Sequence, residues 1–213
     1  VPLSDISKST QRLIILVNDI LNVSRIETGK LKFALTYFDI GPIISEMGEQ
    51  LMPIAIEKGL SLQVTKSFSS MIQADKDKVR EILNNLIGNA LKFTETGGVS
   101  VSWEADEDEV KVFIEDTGAG ISAEEQLKLF GKFKQITTQE VGKPSGSGLG
   151  LYISRELASK MGGELWIEKS KLRRGSTFAF LLPRADSQMA RMAAEKIMRE
   201  NKPNPVEELN PLV

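Results

Sequence analysis

Across residues 75–94 the apolar positions Val79, Ile82, Leu83, Leu86, Ala90 and Phe93 return every three or four residues, which predicts a helix with one core face. Asp75, just ahead of the run, is the predicted N-cap. On the same helix Glu81, Asn85, Asn89 and Lys92 follow steps of four, four and three, so they form a polar stripe beside the apolar one. The same period predicts a helix over 4–27, with Leu13, Leu16, Val17, Ile20 and Ile26 on a stripe widened by Ile14 and Ile15, and Gly29 as its stop. A helix so apolar on one side calls for a partner helix, from a preceding segment or from another chain. A third helix is predicted over 42–58, with Pro42 in its first turn and Pro53 expected to kink it or end it early. Shorter helices follow over 122–130 and 148–161, the latter stopped by Gly162 and Gly163.

Alternating patterns predict strands over 61–67, 71–74, 99–103, 110–115, 164–168 and 177–182, with 31–39 extended. Five acids within residues 104–109 read as a solvated hairpin loop, and the basic residues 169–174 as a second one. Residues 131–147 carry no period, are polar and contain glycine, and a lid is the natural expectation for such a stretch. After Pro183, Ser187 is positioned to cap a short helix bearing Met189, Met192, Ala193 and Ile197, and the chain from residue 201 reads as a linker. The pattern leaves open whether that helix docks or leads elsewhere.

Composition narrows the chemistry. A chain of 213 residues, 41% hydrophobic and 26% charged, has room for one well-buried domain and an appendage. A net charge of -2 gives no support to nucleic-acid binding, and no apolar run reaches the ~18 residues of a membrane span. There is no cysteine, which removes disulfides and thiolate metal sites and fits a reducing compartment. There is also no histidine, hence neither the usual general base nor the usual nitrogen that accepts phosphorus. Together with Val at position 1, this leads us to expect a segment of something longer.

Three glycine- and asparagine-bearing features carry chemistry when taken in order. Asn85 and Asn89 offer hard oxygens suited to Mg2+ and its phosphates. Asp116, at a strand end and followed by Gly118 and Gly120, can accept a hydrogen bond from an exocyclic amine. Gly146, Gly148 and Gly150 open a helix, where backbone N–H groups approach a phosphate closely. No Gly-Lys-Ser/Thr follows them, so this is not a Walker-type loop.

These motifs resemble those of the catalytic, ATP-binding domain of sensor histidine kinases, in the superfamily that also holds DNA gyrase B, the ninety-kilodalton heat-shock protein and MutL. NLIGNALKFT at 85–94 resembles the N box and DTGAGI at 116–121 the first glycine box. FGKF at 130–133 resembles the F box, GSGLG at 146–150 the second glycine box, and GSTF at 175–178 the closing strand motif. Residues 16–30 are similar to the second helix of the family's dimerisation and phosphotransfer hairpin; its first helix, which carries the acceptor histidine, is not in the sequence.

The resemblance implies an α+β fold, a two-layer α/β sandwich of the Bergerat type with a mixed sheet backed by three helices. It implies three parts: a hairpin arm over 1–30, a catalytic domain over 31–184, and a short helix with a linker-like tail over 185–213. The implied ligands are ATP and Mg2+. Asn89 would ligate the metal, while Asn85 and Lys92 face the phosphates. Phe93 and Ile121 would line the adenine pocket, Asp116 would bond the adenine amine, and Thr177 would support that bond. Gly118 and Gly120 belong to the adenine-side turn, and Gly146, Ser147, Gly148, Leu149 and Gly150 would cradle the phosphates. Lys132 and Lys134 are further candidates to reach the phosphates, and Phe130 and Phe133 are either lid anchors or core. The implied partners are the helix carrying the acceptor histidine, from its own or a partner chain, a response regulator receiver domain, and a second copy in a homodimer. Neither nucleic acid nor membrane contact is expected of this segment, and the location implied is cytoplasmic. Glu81 and Asn85 also match the Glu and Asn of gyrase-type ATPases, but only the kinase register aligns Asn89, Ala90, Lys92, Phe93 and Thr94 together.

Overall fold

The computed structural model describes residues 3–65, 69–135 and 146–200. Most of the predicted lid, 136–145, and the predicted tail from 201 lie outside the described residues. In chain order the elements are α1 (Leu3–Glu27), β1 (Leu35–Asp39), α2 (Ile40–Glu57), β2 (Ser61–Val64), β3 (Met71–Asp75) and α3 (Lys76–Phe93). Then come β4 (Gly98–Ala105), β5 (Glu109–Asp116), α4 (Ala123–Gln126), α5 (Gly150–Lys160), β6 (Glu164–Ser170), β7 (Ser176–Pro183) and α6 (Gln188–Glu200).

The main sheet has the order β2-β4-β5-β7-β6, with β2 parallel to β4 and the other pairs antiparallel. It is the mixed sheet the sequence implied, backed by α2, α3 and α5. Strands β1 and β3 form a separate antiparallel pair. Val110, Val112, Ile114 and Asp116 of β5 point toward the helices, and the partners opposite them on β7 include Phe180, Phe178 and Ser176. The period of two thus buries the β5 apolar face and ends it on a carboxylate at the rim of the core.

Asp75 caps α3 as predicted: Oδ1 accepts from the N–H of Asp77 (3.0 Å) and Lys78 (3.2 Å). Its Oδ2 accepts from Ala34 N–H at 2.8 Å, tying the chain before β1 to the start of the helix. Ile87 and Leu91 are buried beside the predicted face, because α3 packs on α2, α5 and the sheet at once. Pro53 does not interrupt α2. The hydrogen bond it removes would end on Glu49, and both residues are exposed, so the freed carbonyl is not buried.

The last helix docks on the domain. Ala190, Ala193, Ala194 and Ile197 are buried, and a Cβ added at Gly162 would meet Ala193. Ser187 caps this helix, accepting from Ala190 N–H at 3.1 Å. Met192, grouped with Met189, Ala193 and Ile197 in the sequence pattern, is 64% exposed. At the other end of the chain Val23 and Ile26 are buried, whereas Leu13, Ile14, Ile15, Val17 and Ile20 of α1 are exposed, as their stripe implied.

Candidate functional site

Three segments deliver polar groups to one cavity of about 390 Å3. α3 brings Asn84, Asn85, Asn89, Lys92 and Phe93; the end of β5 and the turn after it bring Asp116, Gly120 and Ile121; the approach to α5 brings Gly146, Ser147, Gly148 and Gly150.

Along α3 the carboxamides are set in series. Asn85 Nδ2 donates to Ser154 Oγ of α5 at 2.9 Å, and Asn89 Nδ2 donates to Asn85 Oδ1 at 3.2 Å. This ladder fixes which way each amide points and leaves Asn89 Oδ1 without a hydrogen-bond partner among the described residues. It also requires Gly150, since a Cβ there would run into the Asn85 carboxamide. Lys92 reaches the same side, with Nζ 4.7 Å from the Phe93 ring centroid. Burial lowers its pKa below the ordinary lysine value, so this ammonium gains from an anion brought close to it.

Facing that ladder is the start of α5. Its N-cap, Leu149, makes no side-chain cap hydrogen bond, so orphan N–H groups of the first turn adjoin the cavity. Such a terminus, with the positive end of its dipole, suits phosphate. Gly148 has φ 70, and backbone of Phe133 and Lys134 occupies the place of its missing Cβ, which fastens the loop to the F box.

Asp116 is the buried acidic group of the site, only 7% exposed. Burial raises its pKa above the ordinary value, against the lowering effect of Gly118 and Ser176 N–H, which donate to Oδ1 at 2.8 and 3.3 Å. With Oδ1 engaged, Oδ2 is the oxygen left for an amine donor.

Residues 74–186, more than half of the chain, match the family model described as histidine kinase-, DNA gyrase B-, and HSP90-like ATPase. The chain belongs to this family. It is 33% identical over 185 residues to the signal transduction histidine-protein kinase BarA of Escherichia coli, covering 84% of this chain and 20% of that one. Full-length ShkA in complex with AMPPNP superposes with a TM-score of 0.75 at 27% identity, over 97% of this chain and 49% of that one. The catalytic domain of the histidine kinase ThkA superposes with a TM-score of 0.62 at 26% identity, over 71% of this chain and 99% of that one. The chain thus spans about a fifth of the length of BarA.

In this family member three of the expected site residues, Thr177, Leu149 and Gly118, stand off the cavity wall. Thr177 does not line the cavity. Strand alternation pairs Asp116 with Ser176 and Glu115 with Thr177, so Ser176 shares the face of Asp116 while Thr177 shares that of Glu115. Thr177 lines a smaller pocket of about 180 Å3 that Asp116 and Ser176 also border, and its Oγ1 is buried without a hydrogen-bond partner among the described residues. Leu149 is fully buried in the core, and its N–H donates to Ser147 Oγ at 3.2 Å, so it anchors the glycine loop instead of lining the cavity. Gly118 stands behind Asp116 as a donor to it.

Among the lid candidates, Lys134 lines the cavity, Lys132 pairs with Glu27 of α1, and Phe133 is 64% exposed with φ 57. Phe130 is partly buried under Arg155, whose Cζ lies 5.2 Å from its ring centroid.

Sequence reasoning missed Ser154 and Ser176, both buried hydroxyls, and the approach of α1. Ser154 had a legible signal, a polar residue on the apolar face of α5. Ile15 and Asp19 of α1 line the cavity mouth, where Ser147 Oγ donates to Asp19 Oδ2 at 2.5 Å. Nearby, Asn22 Nδ2 donates to Glu81 Oε1 at 3.2 Å, and Lys78 pairs with Glu81 at 2.9 Å. Glu81 therefore lines the cavity as an already partnered carboxylate.

Proposed function

We propose that the chain is the ATP-binding catalytic portion of a sensor histidine kinase, passing the γ-phosphoryl group of ATP to a histidine in two-component signal transduction. The observation that carries this reading is the convergence of Asn85, Asn89 and Lys92, Asp116, and the Gly146 to Gly150 turn on one cavity. Asp116 accepts from the adenine amine, with Phe93 and Ile121 against the ring. Lys92 and the uncapped start of α5 take the phosphates. Mg2+ fits the Asn89 oxygen, a hard donor with no competing partner among the described residues, and would arrive with the phosphates it neutralises.

In the reaction the histidine nitrogen forms a bond to γ-phosphorus as the bond to the bridging oxygen breaks, its electron pair leaving on ADP. The chain's part is positioning and charge complementarity. No histidine occurs in the 213 residues, so the acceptor is supplied from outside them. The exposed stripe of α1 supports its pairing with the helix that bears the acceptor, and through it a homodimer. The next acceptor is the receiver domain of a response regulator. The division at about residues 30 and 184 into arm, catalytic domain and terminal helix with tail belongs to the same reading, as does a cytoplasmic location. No helix among the described residues is long and apolar enough to cross a membrane.

The test is transfer of radiolabel from γ-labelled ATP to a histidine-bearing helix joined ahead of residue 1. Acid-labile label on that histidine is expected. Nucleotide binding without label would instead mark a sensing module. Steady phosphate release that disappears in Glu81→Ala would mark a gyrase-like ATPase.

A further inference from the structure

We propose that Lys58 is a positioning residue for the nucleotide site, acting through the C-terminal turn of α3; this rests on the nucleotide-binding reading above. A helix leaves its last four carbonyls without intrahelical partners, and a glycine just past the end often supplies them by turning the chain back. α3 has no such glycine. Its C-cap, Thr94, is extended (φ -102, ψ 127), so the chain departs at once and the carbonyls of residues 90–93 must be met from elsewhere.

All four are met. Thr94 Oγ1 donates to Ala90 O at 2.7 Å, and Ala119 N–H donates to Phe93 O at 3.3 Å. Lys58 Nζ donates to Leu91 O, to Lys92 O at 3.2 Å and to Thr94 O at 3.0 Å. An ammonium has three protons and no acceptor, so three carbonyls use it completely, and a cation at a helix C-terminus is favoured by the dipole as well.

This residue comes from the end of α2 and does not line the cavity. The turn it grips does. Lys92 and Phe93 lie within it, Asn89 one step before it, and Ala119 of the first glycine box clamps it from the other side. Lys58 thereby sets where the phosphate-facing ammonium and the adenine-facing ring stand relative to Asp116. No local pattern in the chain marks this contact, since the partners lie more than thirty residues apart.

The test is the affinity of the intact chain for a non-hydrolysable ATP analogue, with thermal melting alongside, for wild type, Lys58→Met, Lys58→Gln and Lys58→Arg. At a temperature where each variant is folded, Lys58→Met and Lys58→Gln are expected to weaken binding about tenfold. Lys58→Arg, which keeps charge and donors, is expected to recover most of it. Faster hydrogen exchange at residues 91–94 should accompany the loss. A folded Lys58→Met or Lys58→Gln that binds like wild type would overturn the proposal, whatever its melting temperature. Failure of both to fold would overturn it too, because Lys58 would then hold the fold and not the site. Failure of the wild type to bind would fall on the nucleotide reading itself.

Discussion

Asp116 shows how much of the account rests on single atoms. Its Oδ1 is bound by Gly118 and Ser176 N–H, its carboxylate is buried, and its pKa is raised by that burial. The ionised form therefore costs stability in the free protein, a cost present above the unfolded-state pKa and absent well below it. An adenine amine donating to Oδ2 favours the ionised form and lowers the pKa again. Nucleotide affinity is thus full above the free-state pKa and falls as pH drops through it, at a pH above the usual aspartate value. In Asp116→Asn the Oδ1 contacts survive, but Nδ2 faces the adenine amine donor to donor. We expect this variant to bind ATP about 10- to 100-fold more weakly, to lose the acid-side pH dependence, and to melt higher than wild type at neutral pH when free. Calorimetric titration from neutral to acid pH checks the first two, and scanning calorimetry of the free proteins checks the third. Ser176 illustrates the same scale: one residue along β7 decides which hydroxyl stands beside Asp116, and motif position alone does not reveal it.

At the scale of elements, what was legible in the sequence was whatever depends on local period and caps. The α3 stripe, its Asp75 cap, the β5 alternation and the Ser187 cap all appeared where the pattern put them. What depends on neighbours did not. Ile87 and Leu91 were hidden because no single period describes a helix packed on three sides, and Pro53 stands inside α2 on its exposed side, where the carbonyl it leaves unpaired is not buried. The glycines of the site were legible as a motif, but the reason for Gly150, the Asn85 carboxamide against it, is a contact between α3 and α5. The contact of α1 with the cavity mouth is likewise tertiary. Asp19 presents a carboxylate to Ser147 beside the phosphate-facing groups, so a triphosphate meets like charge there. Removing that charge in Asp19→Asn should raise ATP affinity by roughly 1 kcal/mol, about fivefold at low salt, and the gain should shrink as salt is added. Unchanged or weaker binding at low salt would contradict it.

The whole molecule places its ligand groups on rigid elements and leaves its apolar surplus outward. α3 and α5 lie side by side on the sheet, so the carboxamides of one face the N-terminus of the other, and β5 ends with Asp116 at the same rim. The exposed stripe of α1 is the face that the proposed pairing with the acceptor-bearing helix would cover. The central claim, that one magnesium nucleotide is held at once by α3, the Asp116 turn and the Gly146 to Gly150 loop, is tested most directly by titrating ATP and Mg2+ into isotope-labelled protein and following amide resonances. The account predicts that the side-chain amides of Asn85 and Asn89 and the backbone amides of Gly118, Gly148 and Gly150 shift together along one saturation curve. Shifts confined to one of these segments, or gathered on another surface, would contradict it.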